Sequence, residues 1–84
     1  MTAKPEGWYC IVDEHRLSNG DFHREDGPAL TYANGDQEWW LNNELHRVDG
    51  PAVIWENDEK EWWLFGKQYD PLTWLIKVHK LGLK

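Results

Sequence analysis

Cysteine is almost absent from this sequence. The one thiol in 84 residues, Cys10, excludes an internal disulfide and any Cys-based zinc site, and it fits a reducing cytoplasm. Long apolar runs are missing too, so no N-terminal segment suggests secretion and none suggests membrane insertion. Basic residues are scarce: nine Lys and Arg stand against fifteen Asp and Glu, a formal net charge of −6. The deficit is uneven. Residues 1–69 hold six basic and fourteen acidic side chains, a net of −8, whereas 70–84 hold Lys77, Lys80 and Lys84 against Asp70, a net of +2. Such a surface repels polyanions, which argues against direct nucleic-acid binding and against membrane headgroups. Catalytic signatures are lacking as well. There is no Ser or Cys in a nucleophile elbow, no phosphate loop, no HExxH and no Cys/His metal spacing. The chain therefore reads as a non-enzyme with no cofactor and no metal site, and its acidic residues read as a solvated surface.

What the chain does have is tryptophan, seven residues of it, and a repeat. Residues 23–45 read HREDGPALTYANGDQEWWLNNEL and residues 46–68 read HRVDGPAVIWENDEKEWWLFGKQ, identical at eleven of 23 positions. A fixed short period signals a repeat architecture. A chain this short buries only about 60% of its unfolded surface, so the aromatic side chains must supply dense packing. One domain results: a degenerate half-repeat at 1–22, two repeats at 23–45 and 46–69, and a C-terminal helix at 70–84. The half-repeat is visible because 17–23 (LSNGDFH) echoes 41–46 (LNNELH). Met1 to Gly7 reads as a polar, frayed end, and the apolar run from Trp8 to Val12 as a strand.

Asn34-Gly35 is a strong two-residue hairpin signal. That turn places Leu30 opposite Trp39 and Ala29 opposite Trp40; Asn57-Asp58 does the same for Val53 with Trp62 and Ala52 with Trp63. One face then holds Pro28, Leu30, Tyr32, Trp39 and Leu41, with Pro51, Val53, Trp55, Trp62 and Leu64 in the second copy, and is expected to be core. The other holds Ala29, Thr31, Glu38 and Trp40, with Ala52, Ile54, Glu61 and Trp63. In the linking segment His-Arg-x-Asp-Gly-Pro-Ala, Gly is free to take φ > 0 and Pro fixes the entry to the next strand. His23, Arg24 and Asp26, with His46, Arg47 and Asp49, form either a His/Arg/Asp site, the two histidines being neighbours if the units stack, or a structural corner that recurs wherever the unit does. In the tail, Asp70-Pro71 suits an N-cap and first helical residue, and Gly82 suits the helix end. Leu72, Trp74, Leu75, Ile76 and Val78 make an apolar arc too wide for one sheet face to cover, with His79 among them as an interfacial histidine. The fold class expected is mostly β, an antiparallel meander of 23-residue β-hairpin units with one C-terminal α-helix packed on the sheet.

The pattern Gly20-x-x-His23-x-x-x-Gly27, followed by Tyr32-x-x-Gly35-Asp36, resembles a MORN repeat, whose units are also 23 residues long and form successive β-hairpins. The paired HRxDGPA and EWWL blocks and the terminal helix resemble more closely the MORN-variant repeat proteins of bacteriophages, large viruses and some bacteria. Arg24 and Arg47 stand where the usual unit has Gly, the next Gly falls one place later, and Asp58 replaces a turn Gly. Those departures, with the acidic charge, set the chain apart from the lipid binding attached to MORN proteins. The resemblance implies a small phage or bacterial accessory protein acting on host factors, in the host cytoplasm if phage-encoded.

Three functions fit the residues. A protein-interaction module would use Trp40 and Trp63, flanked by Glu38, Glu61 and Ile54, with Arg24, Asp26, Arg47 and Asp49 as the next candidates and a homodimer interface at Leu72, Trp74, Leu75 and Val78. A binder of small molecules, nucleotides or glycans would stack its ligand on the same indoles. An acidic nucleic-acid mimic would need its carboxylates spaced along one ridge.

Overall fold

The computed structural model describes residues 11–83. Among these residues eight strands and one helix succeed each other: β1 (Ile11–Glu14), β2 (Leu30–Tyr32), β3 (Gln37–Glu38), β4 (Trp40–Leu41), β5 (Glu44–Leu45), β6 (Val53–Ile54), β7 (Lys60–Leu64), β8 (Lys67–Tyr69) and α1 (Pro71–Lys80). All pairings are antiparallel, in a sheet ordered β1-β2-β3-β6-β7-β8 with β4-β5 as a separate ribbon. This is the expected mostly-β hairpin meander with its C-terminal helix. The slab measures 42 × 35 × 17 Å. Ile11 and Val12 open β1, while the frayed end expected at 1–7 and the strand start expected at 8–10 lie outside the described residues.

Three turns share one construction. In each, a residue exchanges backbone bonds across a three-residue loop: Leu17 N–H to Asp21 O, Tyr32 to Asp36, and Trp55 to Glu59, each with a tighter return bond from the third loop residue, Gly20, Gly35 or Asp58. That third residue has positive φ, 95°, 98° and 70° respectively, as in a type I turn closed by a left-handed residue. The middle residue is always Asn. The Oδ1 atoms of Asn19, Asn34 and Asn57 each accept the N–H two residues on, at 3.0 Å, an Asx turn that explains the shared Asn.

The expected two-residue loop is therefore one residue too short, and the cross-strand register moves by one. Leu30 faces Glu38 and Val53 faces Glu61, not Trp39 and Trp62. A one-residue slip transfers every side chain of one strand to the other face. Trp40, Glu38, Leu30 and Tyr32 now share a face, as do Trp63, Glu61, Val53 and Trp55. Ala29 and Ala52 lie on the opposite face with Trp39 and Trp62, so they are not beneath Trp40 and Trp63. Ile54, expected beside Trp63, pairs with Lys60 on the Trp62 side. Trp39 and Trp62, expected in the core, are half-buried, whereas Ala29, Leu30, Ala52 and Val53 are fully buried.

Each unit contains a second, two-residue hairpin. Asn42-Asn43 and Phe65-Gly66 both have two consecutive positive φ values, 50° and 64°, and 51° and 80°, as a type I′ turn demands. Positive φ is uncommon for Phe. Phe65 is held there by its N–H donating to His46 Nδ1 at 2.9 Å and by its ring lying 4.3 Å from the imidazole. His23 Nδ1 accepts from Asn42 N at 3.0 Å in the same way. The leading His of each unit thus ties the start of the unit to its last turn.

The helix closes the stack. Asp70 accepts from Thr73 N and from its hydroxyl, and Pro71 opens the first turn. At the other end Gly82 N–H donates to His79 O and Leu83 N–H to Val78 O, with Gly82 at φ 65°, the paired bonds of a Schellman ending. Trp74 and Val78 point inward and form the buried core with Leu64, against which Val48, Trp62, Tyr69 and Leu83 pack. They are therefore not available for the intermolecular face expected of them. Leu72, Leu75 and Ile76 remain 66%, 45% and 49% exposed, and His79 is exposed as well.

Candidate interaction surface

The two faces of the sheet carry different ladders, and the ladders begin earlier than the visible repeat. Backbone bonds from His15 to Ala29 and from His23 to His15 match those from Trp39 to Ala52 and from His46 to Trp39. Glu14-His15-Arg16-Leu17 is therefore the counterpart of Glu38-Trp39-Trp40-Leu41 and Glu61-Trp62-Trp63-Leu64. The signal was present in the Glu and Leu that bracket all three tetrapeptides, which the echo beginning at Leu17 does not reach.

On one face, the middle side chain of each unit is covered by the next unit. Arg24 Nη1 lies 3.0 Å from His15 Nε2, the Arg47 guanidinium sits 3.9 Å above the Trp39 ring, and Trp74 lies 4.7 Å from Trp62. The helix thus presents Trp74 where a further unit would present Arg. Its indole N–H also donates to Arg47 O at 3.0 Å. Each Arg is fixed by its own corner: Arg24 Nε to Asp26 and Arg47 Nε to Asp49, both 2.8 Å, with Nη1 donating to Pro28 O and Pro51 O. The bond from Arg24 holds the exposed Asp26 carboxyl below its ordinary pKa. Gly27 and Gly50 do not adopt the positive φ expected of them. A Cβ there would lie 3.1 and 2.9 Å from the Cζ of Arg24 and Arg47, so glycine serves to admit the guanidinium. A cleft of about 520 Å³ lies between the two corners, lined by Arg24, Asp26, Trp39, Arg47 and Asp49 among others. The ion pairs and carbonyl bonds there are internal, which is what a structural corner needs.

On the other face, each Glu holds the residue two places on. Glu14 pairs with Arg16 at 3.5 Å; Glu38 and Glu61 accept the indole N–H of Trp40 and Trp63, each at 2.9 Å. Glu61 also accepts from Trp55 Nε1 at 3.0 Å. The two carboxylates expected as a steering rim are thus committed to fixing indoles. Burial, with the Glu38 and Asp36 charges, pushes the Tyr32 phenol above its ordinary pKa. Along this face Arg16 lies 3.8 Å over the Phe22 ring, and Phe22 packs 5.4 Å from Trp40. Trp40 and Trp63 then line one shallow depression of about 430 Å³, together with Asn43, Glu44, Leu45 and Gly66. Its floor is the junction between units, where Gly66 N–H donates to Leu45 O. The helix packs against β7 through Trp74 and Val78 on the Trp62 and Leu64 side, which leaves the Trp40 and Trp63 side uncovered by it.

Among the described residues, no group of three or more His, Cys, Asp or Glu is placed to hold a metal ion, and no helix is long and apolar enough to cross a membrane. Comparison with the models of protein families, with curated proteins and with solved structures yields no match.

Proposed function

We propose that this chain is a protein-interaction module, a binding protein and not an enzyme, that engages a partner protein through the Trp40 and Trp63 face. The observation that carries the reading is the depression between the two indoles, which the helix leaves open. Aromatic anchors of this kind dominate interface energetics when a partner desolvates them, and the carboxylates of Glu38 and Glu61 hold both rings in place beforehand. The HRxDGPA and EWWL blocks support a place among MORN-variant repeat proteins, and with it an accessory role of phage or bacterial type in the cytoplasm. Affinity capture from a bacterial lysate, compared across wild type, Trp40→Ala and Trp63→Ala, tests the reading. A protein retained by wild type and lost with both variants, at unchanged circular dichroism, is the expected result; retention by both variants refutes it. The exposed Leu72, Leu75 and Ile76 favour a second contact, a homodimer across the helix. Sedimentation showing only monomer at high micromolar concentration would rule that out.

A further inference from the structure

We propose that the depression between Trp40 and Trp63 takes an arginine side chain of the partner, with Glu44 as its counter-charge; this rests on the interaction reading above and names the chemistry of the same site. Three observations converge. Trp40 and Trp63 line the depression with their N–H edges tied to carboxylates, which places negative charge beside rings whose faces already attract cations. Glu44, the one charged residue lining it among the described residues, is exposed; its charge is felt by His46, but its carboxylate makes no side-chain hydrogen bond or salt bridge among the described residues. Among the described residues no basic side chain lines the depression, although the chain places guanidinium groups on rings elsewhere: Arg47 over Trp39 at 3.9 Å and Arg16 over Phe22 at 3.8 Å. The depression offers an incoming guanidinium the two kinds of partner that Arg47 has inside the fold, an indole and a carboxylate. Its planar shape suits stacking on a half-buried indole and a two-point bond to Glu44, which a lysine ammonium does not match. Gly66 keeps the approach open, since a Cβ there would come within 3.3 Å of a Glu44 carboxylate oxygen.

The test titrates an acetylated, amidated peptide of alternating arginine and glycine into the full chain, with citrulline and lysine counterparts. Binding is followed by the ¹H–¹⁵N signals of the indole N–H groups and backbone amides. Saturable shifts confined to the Trp40 and Trp63 indoles and the amides of Glu44, Leu45 and Gly66 are expected with the arginine peptide. Glu44→Gln is expected to weaken it roughly tenfold, as loss of a charge-assisted bond does. Glu59→Gln, the same charge change at an exposed turn outside the depression, is expected to change it by less than about twofold. Equal binding of the citrulline or lysine peptide, or equal losses in Glu44→Gln and Glu59→Gln, overturns the inference. Failure here is separable from failure of the interaction reading. A partner protein lost with Trp40→Ala but kept by Glu44→Gln, and not displaced by the arginine peptide, leaves the interface standing and removes the arginine.

Discussion

Replacing Gly50 with alanine sets two opposing effects against each other. Gly50 is buried and its φ is not positive, so alanine meets no backbone penalty. By restricting the unfolded chain alone, the substitution would stabilise by about 0.4–1 kcal/mol. The added Cβ, however, would stand 2.9 Å from Arg47 Cζ and 3.1 Å from Nε. The end of a flexible side chain ordinarily swings away at little cost. Here it is held by Asp49, by Pro51 O and by stacking on Trp39. The carbonyl bond contributes about 1 kcal/mol, the stacking about 0.5–1 kcal/mol, and the half-exposed ion pair no more than about 1 kcal/mol after solvent screening. Displacement outweighs the entropic gain, and a net loss of about 1–2 kcal/mol is expected, roughly 4–16 °C in Tm for a domain of this size. The decisive measurement is a double-mutant cycle by thermal or urea denaturation. In an Arg47→Ala background the same Gly50→Ala change should be neutral or stabilising, because nothing remains to be displaced. A stabilising Gly50→Ala in the wild-type chain, or an equal cost in both backgrounds, would refute the account of why glycine follows Asp in this corner.

Asp36 is only 2% exposed and joins two turns, accepting Asn34 Nδ2 at 3.0 Å and Glu56 N–H at 2.7 Å. Asp36→Ala should cost about 1–3 kcal/mol through the abandoned donors, and Asp36→Asn distinctly less; urea denaturation of both variants checks this, and equal losses would contradict it. Burial lowers the pKa of His46 below its ordinary 6.5, with the Glu44 charge opposing. The unfolded chain therefore takes up the proton first as pH falls. Stability should drop as pH goes below about 6.5 and level off beneath the folded value. Tm measured from pH 7.5 to 5.5 should decline in wild type and decline less in His46→Gln. The Asp26 and Asp70 carboxyls, both held below the ordinary 3.8, contribute stability above that value and lose it only in stronger acid, outside this window. A Tm that rises toward pH 5.5 would contradict the placement of His46.

The sequence by itself determined the features that are written locally. The 23-residue period announced identical units, because a hairpin that cannot cover its own faces must be stacked on a like neighbour. Asp70, Pro71 and Gly82 marked the helix ends, since capping depends on the few residues beside each terminus. Asn34 and Asn57 marked the turns, but not the length of the loops. Asn-Gly serves both a two-residue loop and the last two places of a three-residue one, and only the Tyr32 to Asp36 pairing shows which was formed. From that single residue the tertiary structure decided the rest: Leu30 and Val53 moved to the face of Trp40 and Trp63, and Ile54 left it. The depression itself is assembled from two units, with Trp40 and Trp63 brought together by a bond between Gly66 and Leu45. No local pattern specifies which carboxylates in an acidic chain will be spent on indoles, as Glu38 and Glu61 are, and which, like Glu44, will border the depression instead. That division is set by strand alternation once the register is fixed.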